Sequence, residues 1–407
     1  MLGGYQVLDV LSLEVVSILQ LHASTEPLFP NIETLDLWPA GEFIPFIPLF
    51  LSPRTTTISI GFSRSDFPKA TVASMITSFP ILCPNLQDIT LHHLPRDLTI
   101  TAAVSGMLLA SNRNTLRSFC INSLLTKEAR EVISTLPNLH TLSVVIERNT
   151  SLPSVVLPNL TDLTITYHNG NDWLYVFHEA TLGPLEAVTF HSYSEQNGDF
   201  LEAFERVTLA TSIQHTLSKF RFYARCPWNP NYSSLRSFTQ MRCLIIEFPC
   251  NDVCSPTVDD DVIMNLARTM PRLETLELGD RPCREIPTGV TVKGLVALAH
   301  HCPVLSILRV HFQVTILIAP PLVSGVTPSA GSAAPWRDCA LRYIEVGEVP
   351  VPEDSALVVA VALARIFPHI ASIGSDDGSW FKVENAICLA REIINHSSKK
   401  PPFSTPK

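Results

Sequence analysis

The sequence predicts an α/β solenoid in which one helix–turn–strand unit is used about a dozen times, with parallel strands on one face and helices on the other. Three observations carry this. A short phrase recurs, as LPNLHTLSVV at 136–145, LPNLTDLTIT at 157–166 and MPRLETLELG at 270–279, with apolar residues three and five positions after an apolar anchor. Between its copies lie segments whose apolar residues follow a helical rather than an alternating period. The interval between copies, roughly 20 to 45 residues, is that of a supersecondary unit that cannot bury its own apolar face and has to stack on its neighbours.

Taken in order, the anchors are Ile32, Leu86, Leu116, Leu139, Leu160, Leu185, Leu217, Met241, Leu273, Leu305, Leu341 and, degenerate, Ile370. The gap between Ile32 and Leu86 leaves room for a further copy at TTTISIGF, 55–62. Four intervening segments read as helices. TKEAREVISTL at 126–136 opens on Thr126, a good N-cap, and carries Ala129, Val132, Ile133 and Leu136 on one stripe. DDDVIMNLARTM at 259–270 places acids where the helix dipole favours them, and TVKGLVALAHHC at 291–302 repeats its layout. EDSALVVAVALARIF at 353–367 does so again before Pro368. Residues 1–28 read as an N-terminal helical cap, 29–375 as the repeats, and 376–407 as a C-terminal helix with a disordered tail. The Pro-, Gly- and Ser-rich stretch 320–336 reads as a mobile surface loop inserted into the repeats.

Composition narrows the function. The chain has 407 residues, 46% of them hydrophobic and 16% charged, which allows a large buried interior and argues against disorder. A net charge of −9, with no Lys or Arg before Arg54, argues against a nucleic-acid footprint. The same start lacks the positive region of a secretory signal. The longest other apolar run, ALVVAVALARIF at 356–367, is about half of the ~20 residues that span a bilayer, so no membrane partner is expected. The 10 cysteines are scattered, as expected of reduced thiols in a cytoplasmic or nuclear protein. Cys250 and Cys254 lack a second ligand pair nearby and read as loop thiols, not a zinc site.

At LVALAHHCPVLSILRVHF, 295–312, the repeat resembles the longer, cysteine-containing leucine-rich repeats of F-box/leucine-rich-repeat proteins. LARIFPHIASI, 363–373, resembles the terminal repeats of the large fungal families of this kind. The resemblance covers roughly residues 28–375. It implies a horseshoe with strands on the concave face and helices on the convex face. It also implies a non-enzymatic role as the substrate-binding part of a ubiquitin-ligase receptor, whose F-box docks a Skp1-type adaptor. The residues before Ile32 lack the Leu-Pro opening of an F-box, so 1–28 reads as a cap or the remnant of an F-box, and this chain is not expected to bind the adaptor. The alternative is a free-standing repeat scaffold or inhibitor without a ubiquitin link.

Because strand side chains alternate, the third, fifth and seventh positions of each phrase point away from the core. Early in the chain these are small or acidic: Thr34, Asp36 and Trp38; Asp88, Thr90 and His92; Thr141 and Ser143; Asp162, Thr164 and Thr166. From His191 onward they become larger and more charged, with Lys219 followed by the candidate partner-binding residues Arg221, Tyr223, Glu247, Glu277, Arg309, His311, Tyr343 and Glu345. Aromatic and Arg side chains dominate binding hot spots, so the later repeats are the expected contact face for a protein partner. His92, His191 and His311 share a position but belong to distant repeats, so a common metal site is not expected. Asp259, Asp260 and Asp261 lack the alternating donors and Gly of a calcium loop and read as a helix start. No glycine-rich nucleotide fingerprint, P-loop or nucleophile elbow is present, so neither cofactor nor catalytic residue is assigned.

Overall fold

A computed structural model of the chain describes residues 18, 27–38, 41–62, 68–95, 97–110, 114–122, 124–146, 156–168, 181–194, 200–211, 213–225, 230–248, 258–279, 289–310, 312, 339–346, 351–375 and 378–398. The expectations for residues 1–17 and 19–26, the 320–336 loop, Cys250, Cys254, His311 and the tail beyond 398 therefore lie outside the described residues. The chain divides into two compact units, Met1–Tyr193 and Ser194–Lys407.

The first unit is built on parallel strands β1 (Thr34–Leu37), β2 (Thr57–Gly61), β3 (Asp88–His92), β4 (Ser118–Ile121), β5 (Thr141–Ile146), β7 (Asp162–Tyr167) and β9 (Ala187–Ser192), side by side in chain order. The second carries β10 (Lys219–Ala224), β11 (Cys243–Glu247), β12 (Thr275–Leu278), β13 (Ile307–Val310), β14 (Tyr343–Glu345) and β15 (Ser372–Gly374), also parallel and in order. The copy expected at 55–62 is β2. Among the anchors, Leu86, Leu139, Leu273 and Leu305 are buried, as are Leu142, Leu163, Leu276 and Leu308 three positions after theirs. Burying each such side chain contributes roughly 1.5–3 kcal/mol relative to leaving it in water.

Stacking is locked at the backbone by a repeated bond pattern. Within each unit, the carbonyl of the residue after an anchor accepts two N–H groups of the next repeat, as Arg242 O does from Glu274 N at 2.7 Å and Thr275 N at 3.0 Å. Glu274 O does the same for Ser306 N and Ile307 N. In the first unit, Asn85, Asn138 and Asn159 each donate a side-chain N–H to a carbonyl of the preceding repeat, at Pro53, Asn114 and Pro137.

The helices in the first unit are α1 (Lys69–Leu82), α2 (Leu98–Ala110) and α3 (Lys127–Ile133). Those in the second are α4 (Phe200–Thr211), α5 (Asp260–Thr269), α6 (Val292–His301), α7 (Ala356–Ile366) and α8 (Ser379–Ser398). Thr126 caps α3 as expected, accepting from Ala129 N. The C-terminal stop of α1, α5, α6 and α7 is set by sequence. Cys83, Met270, Cys302 and Phe367 each precede a proline, which disfavours the helical region, and their φ of −127°, −118°, −119° and −124° leave the helix with the last backbone bond still made. The acidic triplet is a helix start of a particular kind. Asp259 caps its own helix through Val262 N at 2.8 Å, whereas Asp260 caps the next one, accepting from Thr291 N, Gly294 N and the Thr291 hydroxyl at 2.7, 2.9 and 2.5 Å.

Not every repeat carries the helix that the sequence reading gives it. Between β1 and β2 the chain forms a tight three-residue-per-turn helix over Gly41–Phe50, where Pro45 and Pro48 remove the N–H groups a regular helix needs. Tyr232–Leu235, between β10 and β11, is another short turn of this type. β6 (Val156–Leu157) and β8 (Thr181–Leu182) pair in parallel as a separate two-strand ladder, which period counting missed because each is only two residues long.

Candidate functional site

On the strand face of the second unit, the register sets the outward residues into rungs. Arg221, Ile245, Glu277, Arg309 and Glu345 are successive partners across β10 to β14. Arg309 therefore stands between two carboxylates in its own rung. Its Nε donates to Glu345 Oε2 at 2.7 Å, and its Nη1 lies 3.1 Å from Glu277 Oε2 and 3.5 Å from Glu247 Oε1. Glu247 reaches it from β11 across the end of β12, where Gly279 contributes no side chain. Glu345 Oε2 also accepts from the Tyr343 hydroxyl at 3.1 Å. The Tyr343 ring leans over β15, where a Cβ at Gly374 would meet its hydroxyl at 2.1 Å.

One guanidinium thus serves three carboxylates, all partly open to solvent. Burial alone would lower the Arg309 pKa, but the Glu345 hydrogen bond and the charges of Glu277, Glu345 and Glu247 outweigh it and hold the group above its ordinary value. Burial, together with the charge and hydrogen bond of Glu345, raises the Tyr343 phenol, and burial and Glu247 raise Tyr223. The other Arg in the rung behaves differently. Arg221 is exposed, separated from Glu277 by buried Ile245, and makes no ion pair among the described residues; its nearest effect is on the Cys243 thiol, which burial raises and Arg221 lowers.

The structure thus brings Glu247, Glu277, Arg309, Tyr343 and Glu345 into one network and leaves Arg221 and Tyr223 beside it on β10. Among the described residues no group of three His, Cys, Asp or Glu is disposed to hold a metal ion. No described helix is long and apolar enough to cross a membrane.

The first unit holds a cluster the sequence reading did not assemble. Trp38, just past β1, stacks on His92 of β3 with ring centroids 5.6 Å apart and planes 12° from parallel. It crosses β2 at Gly61, where a Cβ would come within 2.1 Å of the indole, so only a glycine leaves room. Trp38 is 46% exposed. Burial lowers the His92 pKa, the neighbouring His93 lowers it further and Asp36 partly offsets this. The signal was present, since Trp38 and His92 share the seventh position and Gly61 fills it in the strand between.

Comparison with models of known protein families matches none of them, and comparison with curated proteins finds no match.

Proposed function

We propose that this chain is a non-enzymatic protein-recognition module that contacts its partner through the strand face of the second unit. The observation that carries this reading is the Arg309 network. Arg and Tyr side chains of the kind that dominate interface hot spots are already held in place by Glu247, Glu277 and Glu345, so less side-chain entropy remains to be lost on binding. Arg221 and Lys219 on β10 add exposed positive charge beside it. The face therefore offers both signs in a fixed order, which favours one partner orientation and penalises like-charged competitors. By the resemblance of its repeats, the finer reading is the substrate-binding region of an F-box-type ubiquitin-ligase receptor.

Quantitative capture of partners by the tagged full chain tests both levels. Tyr343→Ala should lose the specific partner by a factor of about thirty, corresponding to ~2 kcal/mol, while Glu131→Gln on α3 in the first unit retains it. Equal capture by Tyr343→Ala, Tyr223→Ala and Arg221→Ala would remove this face from the reading. Cullin-ligase subunits among the captured proteins support the receptor role, and a Tyr343-dependent partner without them favours the free-standing scaffold.

A further inference from the structure

We infer that the strand face of the first unit is a docking surface for a basic segment of a protein partner, with Trp38 and Asp36 forming the subsite for an arginine side chain. The charge on this face is one-sided. Asp36, Asp88 and Asp162 occupy outward positions of β1, β3 and β7, and every other outward position from β1 to β9 holds an uncharged side chain or a histidine. None of the three aspartates has an ion-pair partner among the described residues. What they have instead are hydroxyls: Thr57 Oγ1 donates to Asp88 Oδ2 at 3.2 Å and Thr161 Oγ1 to Asp162 Oδ2 at 2.8 Å, which orients the carboxylates without neutralising them.

Trp38 adds what charge alone does not supply. Its ring is fixed by Gly61 beneath and His92 alongside, and the residue remains 46% exposed. An indole is the best aromatic partner for a cation. Asp36 lies two residues earlier on the same side of the strand, about 7 Å away along the chain, so a guanidinium on the open part of the ring meets a carboxylate at its edge. Arginine suits this pair better than lysine, because it is planar and stacks while its fork bonds a carboxylate. Asp88 lies two strands over and, being in register with Thr34, two residues back along the strand from Asp36, about 12 Å away, so a segment running obliquely across the strands with further basic residues engages it in turn. Burial and His93 lower the His92 pKa, which makes the stacked imidazole a weaker competitor for this negative field. This surface lies wholly within the first unit and does not depend on whether the Arg309 network contacts anything.

The test uses the full chain and a fluorescein-labelled octa-arginine peptide, followed by anisotropy at two salt concentrations, with octa-glutamate as the charge-reversed probe. Octa-arginine should bind and octa-glutamate should not. Trp38→Leu should weaken octa-arginine about fivefold, Trp38→Phe less, and Asp36→Asn about threefold with a shallower salt dependence. Glu131→Gln on α3 removes one exposed negative charge from a helix and should change affinity little. Circular dichroism melts confirm that each variant is folded, and if Trp38→Leu is not, Asp36→Asn against Glu131→Gln decides alone. Unchanged binding by Trp38→Leu, or an equal effect of Glu131→Gln and Asp36→Asn, means that the peptide senses only net charge and overturns the assignment.

Discussion

Leu163 in the first unit and Leu276 in the second hold the same place in the repeat, and each is sealed from solvent, at 1% and 0% exposure. One residue on, the units part: Thr164 points outward from β7 and Glu277 from β12. The same division runs along both faces. In the first unit the outward positions carry hydroxyls, one half-exposed Trp and three aspartates that have no ion-pair partner among the described residues, and in the second they carry a guanidinium shared among three glutamates. Inward positions must fill a stack whose volume is set by the neighbouring repeats, so they are alike. Outward positions bear no such constraint, which is why the functional reading rests on them.

The strongest way to break the comparison is through the shared interior. Leu163→Ala and Leu276→Ala should each destabilise by ~2–5 kcal/mol, since both delete a fully buried side chain and leave a cavity. Chemical denaturation of the two variants checks this. A much smaller loss for one of them would mean that the units are not built alike.

The buried thiols offer a second, pH-dependent comparison. Cys83 in the first unit and Cys302 in the second both close a helix before proline. Burial pushes the Cys83 thiol up to about 11 against the partial pull of its Thr55 and Ser52 bonds, and burial and neighbouring Cys339 push Cys302 to about 12. An unfolded thiol ionises near its ordinary value of about 8.5. Above that pH the unfolded chain has released protons that the folded chain still holds, so stability is full below about pH 8.5 and falls until the folded pKa is reached. The slope is at most about 1.4 kcal/mol per pH unit for each thiol. Unfolding free energies at pH 7.5, 9 and 10.5 under reducing conditions should show this fall, and Cys83→Ala and Cys302→Ala should each flatten it. An unchanged slope in either variant would mean that its thiol is hydrated in the folded state.

The repeat itself was legible because each anchor and its two followers recur at fixed offsets, and the register of β12, β13 and β14 follows directly from aligning Leu273, Leu305 and Leu341. That alignment already set Glu277, Arg309 and Glu345 in one rung. Their pairing was not drawn from it because the phrase ranks residues within a repeat, whereas the ion pairs form between repeats. Glu247 was harder still, since it sits two residues beyond Ile245, its strand's member of that rung, and reaches Arg309 only past Gly279. Asp260 illustrates the same limit. Its neighbour Asp259 is a cap visible within its own helix, but its own partners, Thr291 and Gly294, begin the next one. The β6–β8 ladder left no periodic signal at all, because two residues cannot display a period.

The finest comparison lies inside the second unit, between two arginines of one rung. Both point away from the core, and removing an ordinary surface residue changes stability by no more than ~0.5 kcal/mol. For Arg221 that small cost is the expected one, since it is exposed and its neighbour in the rung is the apolar Ile245. For Arg309 a larger cost is expected. Three ion-pair contacts, at 2.7, 3.1 and 3.5 Å, converge on a side chain that is only 35% exposed. Exposed pairs contribute little each, but Arg309→Met also leaves three carboxylates facing one another without a counter-charge, and the expected loss is about 1–2 kcal/mol. Restoring neutrality should recover part of it, so Arg309→Met combined with Glu277→Gln should be more stable than Arg309→Met alone. Thermal melts at low and high salt read this out, with the gap between the single and double variants narrowing as salt screens the repulsion. Equal stability of Arg221→Ala and Arg309→Met would mean that the network is solvated and adds no rigidity, and the pre-ordered contact face would lose its physical basis.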